Sequence, residues 1–179
     1  MPLPPPVKSL WDDLQAVRAE ILKEIEGLTQ AQLDWRASDR DWSVGEVIHH
    51  LTLAEVATGK LTSKLFKDAG ASLTPFPAGL TAFAPLPVWP MEGAEAPPAV
   101  RPETGHAANE LIDTFKATRD RSRQSIERLA TADPRSLSWP HPRFGQMNLS
   151  QWWLLQARHD ADHLQQLRAV KAASGFPSS

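Results

Sequence analysis

The chain contains no cysteine. That absence excludes disulfides, thiolate metal sites and a cysteine nucleophile. Lysine and arginine form no block interleaved with aromatics, and the net charge is only −2. Neither nucleic acid nor an anionic membrane is therefore expected as a partner. Arg119, Arg121 and Arg123 alternate, which scatters them around a helix axis, and a solvated face is expected for them. Long apolar runs are missing too. The run from Trp152 to Leu155 is far too short to span a bilayer. The opening MPLPPPVKSLWDD has no apolar stretch of the kind a secretory leader needs, so a cytoplasmic location is expected.

What is present is an ordinary globular composition, 41% apolar and 22% charged over 179 residues, enough for a single domain over 1–179 with a sizeable core. The sequence shows no internal repeat and no convincing strand pair. Apolar residues at helical spacing mark four segments. The first runs from about Val7 to Leu28, carrying Leu10, Leu14, Val17, Ile21 and Ile25 on one face behind three prolines that can open a helix. The second opens at Ser43, which forms a capping-box pattern with Glu46, and continues through Val47, His50, Ala54, Leu61 and Leu65 to about Lys67. The third spans about Thr104 to Ala130. The fourth, capped by Asn148 or Ser150, reaches about Ala173 before Gly175 and Pro177 stop it.

Between the second and third lie residues 70–103, too rich in proline for a long helix or a central strand. Phe76, Leu80, Phe83, Leu86, Val88 and Trp89 nevertheless give this stretch apolar weight. A connection packed over the bundle is expected, serving either as a lid or pocket wall or as a plain crossover. The expected fold is all-α: an antiparallel four-helix bundle with a long proline-rich crossover between helices 2 and 3.

Chemistry concentrates on the histidines. Stepping by three and four from Trp152 gives Gln156, His159, His163, Leu167 and Val170, so both histidines are expected on the inward stripe, one turn apart. His50 occupies the corresponding stripe of the second helix, while its neighbour His49 points about 100° away. Three neutral imidazoles suit Zn²⁺, Ni²⁺, Cu²⁺ or Fe²⁺ and leave coordination positions open for water or substrate. Buried core histidines without a metal are the competing reading. The glutamate base of zinc proteases is absent, since HDADH has aspartate at 160.

Three stretches, WSVGEVIHHLTLAE, HPRFGQMNLSQWW and ARHDADHLQQL, together resemble the DinB/YfiT-like superfamily of four-helix metalloproteins. The resemblance implies an up-down-down-up bundle with His50, His159 and His163 as ligands of Zn²⁺ or Ni²⁺, in proteins that are often dimers. It also implies a small-molecule substrate and, in some relatives, a low-molecular-weight thiol such as bacillithiol or mycothiol. The resulting expectation is a metal-dependent enzyme in which the ion activates a thiol or water, as a thiol transferase or a hydrolase. The alternative is a non-catalytic metal- or ligand-binding bundle. Glu46, Gln156, Gln166 and His141 are candidates to orient a ligand or substrate, with Glu46 also the capping partner of Ser43. Arg143 and Arg158 are candidates to hold a carboxylate, and Trp42, Trp139, Trp152 and Trp153 are expected in the core or a dimer face.

Overall fold

The computed structural model describes residues 2–87 and 95–178; Val88 and Trp89, expected to pack over the bundle, lie outside them. Helix α1 is Pro5–Ile25, its prolines sitting in the first turn, where a missing N–H costs nothing. It ends before Leu28 because Gly27 takes φ +74°. A short helix α2, Gln30–Asp34, follows with a capping box between Thr29 and Gln32. Helix α3 is Val44–Ala69, opened by the Ser43–Glu46 box: Glu46 N–H donates to Ser43 Oγ (3.1 Å) and Ser43 N–H to the Glu46 carboxylate (2.8 Å).

The crossover begins and ends in single 3₁₀ turns, Gly70–Ser72 and Pro98–Val100. Leu73, Phe76 and Phe83 pack against the core, so its described first part does cover the bundle. Helix α4, Ala108–Leu129, starts four residues later than the spacing implied, since Gly105 adopts φ +82°.

A strand pair stands where none was expected. Strand β1 (Ser138–His141) pairs antiparallel with β2 (Gly145–Asn148), with Pro140 opposite Gln146. In a two-stranded ribbon every strand is an edge, so Pro140 is tolerated within β1. Helix α5, Leu149–Ala172, begins directly after the hairpin. Asn148 is its cap, accepting from Gln151 N–H at 3.0 Å while Gln151 Oε1 accepts from Asn148 N–H at 2.9 Å. Asn148→Ala is expected to lower stability by about 1 kcal/mol, measured by urea unfolding.

The four long helices form an up-down-down-up bundle. One apolar cluster joins Ile21 and Ile25 of α1, Val47 and Ile48 of α3, Leu111 and Phe115 of α4, and Leu167 and Val170 of α5. The other joins Val7 and Leu10, Leu65 and Phe66, Ile126 and Leu129, and Trp153. Late α1 thus meets early α3, early α4 and late α5, which fixes the directions.

Between the clusters runs a buried polar belt, with one charged residue from each long helix. Arg18 and Arg119 are 3% exposed, Glu55 and Asp160 0%. Arg119 Nε donates to Glu55 Oε1 (2.7 Å) and its Nη2 to Asp160 Oδ2 (2.9 Å). Arg18 donates to Glu55 and, from Nη1, to Phe115 O at 2.8 Å, its guanidinium lying 3.4 Å over the Phe115 ring. Arg119 is therefore a core residue and not part of a solvated face; Arg121 is exposed as expected.

Candidate metal centre

Helices α3 and α5 bring His50, His159 and His163 together at the edge of the first apolar cluster, with one ring nitrogen of each lying within 4.8 Å of the others. Among the described residues no other group of three or more histidine or carboxylate side chains is arranged in this way. The core stripe of α5 runs through Trp153, Gln156, Asp160, Leu164 and Leu167, about one residue around from the expected one. His159 and His163 are accordingly half-buried at the rim, and only His50 is fully buried.

His159 Nε2 lies 2.9 Å from His50 Nε2 and 3.1 Å from His163 Nε2. The outer edges of two rings are committed elsewhere. His50 Nδ1 faces Val100 O at 2.7 Å, and His163 Nδ1 faces Gln166 Oε1 at 2.6 Å. A nitrogen facing an oxygen acceptor must carry the proton, so Nε2 of His50 and of His163 is a bare lone pair turned inward. His159 Nδ1 is buried without a partner. A neutral cluster is therefore left with at least one unmet polar atom and crowded acceptors, a cost of about 1–3 kcal/mol per group.

The residues fit a divalent ion. Three nitrogens each about 2.0 Å from a shared tetrahedral zinc stand about 3.3 Å apart, slightly wider than the separations of His159 from His50 and from His163. Val100 O and Gln166 Oε1 are the kind of outer partners that fix ligating imidazoles.

Burial dominates the electrostatics. It pushes the His50 pKa down to about 4, with the Val100 hydrogen bond opposing and His163 and His49 adding to the fall. Burial, then His163 and His50, hold His159 well below its ordinary value. His163 is lowered by burial against the opposing Gln166 bond. All three are neutral at pH 7, the protonation state a metal requires. Trp42 closes one side, its ring 4.9 Å from His50 and stacked at 6.0 Å on His163.

The other candidates divide. Glu46 is spent on the α3 cap and on Arg36, whose Nε donates to it at 2.8 Å. Gln156 belongs to the buried belt, donating to Asp160 Oδ1 at 2.7 Å. Arg158 lies 3.8 Å from Asp162 on its own helix. His49 turns to the other side, accepting Glu103 N–H at 2.9 Å and facing His106 Nε2 at 3.1 Å. His141 and Arg143 sit on the hairpin, where His141 packs 4.9 Å from Trp152. Trp153 is fully buried, and Trp139 is 39% exposed. Sequence reasoning missed Val100, whose contribution is a carbonyl that no side-chain pattern reports, and the wall role of Trp42.

A four-helix bundle with a histidine triad across its second and fourth long helices defines the class of protein. The chain belongs to the DinB superfamily, whose profile matches residues 13–167. It is 24% identical over 157 residues to the uncharacterized protein YuaE of Bacillus subtilis, covering 86% of this chain and 92% of that one. Two solved structures share the fold. TT2238, a four-helix bundle protein, superposes with a TM-score of 0.62 at 21% identity, over 91% of this chain and 98% of that one. YfiT of Bacillus subtilis, described as a probable metal-dependent hydrolase with an unusual four-helix bundle topology, gives 0.59 at 15% identity, over 96% and 89%. No helix among the described residues is long and apolar enough to cross a membrane.

Proposed function

We propose that this protein is a metal-dependent enzyme acting on a small molecule, with His50, His159 and His163 holding a divalent ion, zinc or nickel. The observation that carries the reading is the inward convergence of the three Nε2 atoms, two of them stripped of protons by Val100 O and Gln166 Oε1. When bound, such an ion acts as a Lewis acid and lowers the pKa of a water or thiol. Three protein ligands, with no carboxylate closing the set among the described residues, match open catalytic sites and not closed structural ones. The relationship to YfiT supports the hydrolase version. A low-molecular-weight thiol as co-substrate is the transferase version, compatible with a chain that has no cysteine of its own.

The residues of the chain set the conditions for that chemistry. Val100 and Gln166 orient the two outer rings, Trp42 shields one face, and burial keeps all three imidazoles unprotonated. Elemental analysis of tag-free protein is expected to find close to one metal per chain, lost in both His50→Ala and His163→Ala. Absence of metal after reconstitution with Zn²⁺ or Ni²⁺ sinks the proposal and leaves the histidines as core residues. A homodimer in a cytoplasmic setting completes the proposed picture, to be read by sedimentation.

A further inference from the structure

His49 and His50 are consecutive on α3, and both rings reach the same segment, the end of the crossover at 98–106. Their side chains leave the helix about 100° apart, so this segment crosses two faces of α3 as a strap. The two Nδ1 atoms do opposite work there. His50 Nδ1–H donates to Val100 O at 2.7 Å, whereas His49 Nδ1 accepts Glu103 N–H at 2.9 Å. A backbone N–H can only donate, so His49 carries its proton on Nε2. His106 Nε2, 3.1 Å from the same His49 Nδ1, is then a second donor to it. The His49 and His106 rings meet edge to face at 4.1 Å.

The strap has little else to hold it. Arg101, Glu103, Thr104 and Gly105 are exposed, and Gly105 takes φ +82°. Among the described residues, Glu103 to His49 is the one hydrogen bond that ties residues 101–105 to the bundle. The next fixed point lies beyond it, where Gln30 of α2 donates to His106 O (3.1 Å) and accepts Ala108 N–H (2.8 Å). On the other side, the 3₁₀ turn Pro98–Val100 packs against α3 and presents Val100 O to His50. Three residues span at most about 10 Å, so a strap fastened at Glu103 leaves the Val100 carbonyl little room to drift. Val100 and Glu103 contribute only backbone atoms to these bonds. His49 is therefore the side chain through which the sequence holds the strap in place.

We propose that His49 is a positioning residue of the metal centre: its bare Nδ1 fastens the strap whose Val100 carbonyl fixes the tautomer and ring plane of His50. The inference rests on the metal-centre reading above and adds to it a residue that is not itself a ligand. Loss of an outer partner of a ligating imidazole weakens metal binding by about 10–100-fold, and His49 acts one step further out, through that partner.

Two variants separate the acceptor from the ring. His49→Phe keeps an aromatic side chain without the lone pair. His49→Asn keeps an acceptor, since its Oδ1 stands two bonds beyond Cβ, as Nδ1 does. In cobalt(II) titrations followed by the cobalt absorption bands, His49→Phe is expected to bind about tenfold more weakly than the native protein, and His49→Asn to recover most of that loss. Glu103→Pro removes the strap's donor without touching α3, and is expected to weaken cobalt binding to a similar extent. Native affinity in His49→Phe or Glu103→Pro, or a loss that His49→Asn does not recover, overturns the proposal. A second readout needs no metal. In metal-free protein the His50 Nδ1–H proton, held against Val100 O, is expected to exchange with water about tenfold faster in His49→Phe than in the native chain, and near the native rate in His49→Asn. Equal exchange rates in all three overturn the proposal whether or not metal binds. Failure of the native protein to bind cobalt overturns the metal centre instead, and the exchange rates still read the strap.

Discussion

Glu55→Gln is expected to destabilise the protein by about 3–5 kcal/mol, the effect of removing one partner from a buried ion pair. Glu55 is fully buried and receives Arg18 and both Nε and Nη2 of Arg119. Its substitution removes one of two negative charges from a belt that carries two guanidiniums, leaving a buried surplus cation. Burial raises the Glu55 pKa, and Arg18 and Arg119 together outweigh that and hold it below the usual range. Asp160 goes the other way: burial raises it more than the two arginines lower it. Glu55 is thus the anion on which the belt depends.

In a chain of this length, 3–5 kcal/mol corresponds to a fall in Tm of roughly 10 °C, measurable by calorimetry on EDTA-treated protein. The double variant Arg18→Leu with Glu55→Leu is expected to cost less than the sum of its singles, because both members of a pair leave together. A loss below about 1 kcal/mol in Glu55→Gln would refute the account. Arg18 and Arg119 also line a groove of about 340 Å³ between α1 and α4, and such a result would mean that solvent from this groove reaches the guanidiniums.

The belt shows where reading the sequence reaches its limit. Leu10, Leu14, Ile21 and Ile25 announced the face of α1, and Arg18 falls on that face by spacing alone. Its charge argued for solvent, and the competing choice of Val17 placed the stripe one residue off. Arg119 was read as solvated for the same reason. A buried charge is legible only once its partners are known, and here they sit on three other helices, up to 142 residues away. The histidine triad was legible because its parts are local: an i, i+4 pair and one histidine on a capped amphipathic helix. The hairpin was hidden by Pro140, whose cost depends on whether a strand has a second neighbour. The turn at Gly145 followed from no periodicity at all.

Metal-free protein is expected to lose stability steeply as pH falls from about 6.5 towards 4. His50, His159 and His163 all have folded pKa values below their ordinary value of 6.5, with burial the first cause in each. The unfolded chain therefore takes up protons first. The stabilisation is fully present above pH 6.5 and is lost as pH falls through the folded values. For His50, 4% exposed and lowered to about 4, the loss approaches about 3 kcal/mol at one unit per 1.36 kcal/mol. Glu24, Glu55 and Asp133 are held below the ordinary carboxylate range and act only at lower pH, and Asp160, raised by burial, acts in the opposite sense, so the fall in stability in the upper part of the window belongs to the histidines. Urea midpoints at pH 7.5, 6.0 and 5.0 read the slope, and His50→Leu is expected to flatten it. A midpoint unchanged between pH 7.5 and 5.0 would show that the cluster opens to water before it refuses a proton. Bound metal is expected to extend the same slope below the folded pKa values of the free imidazoles, since there every ligand that accepts a proton is a ligand lost.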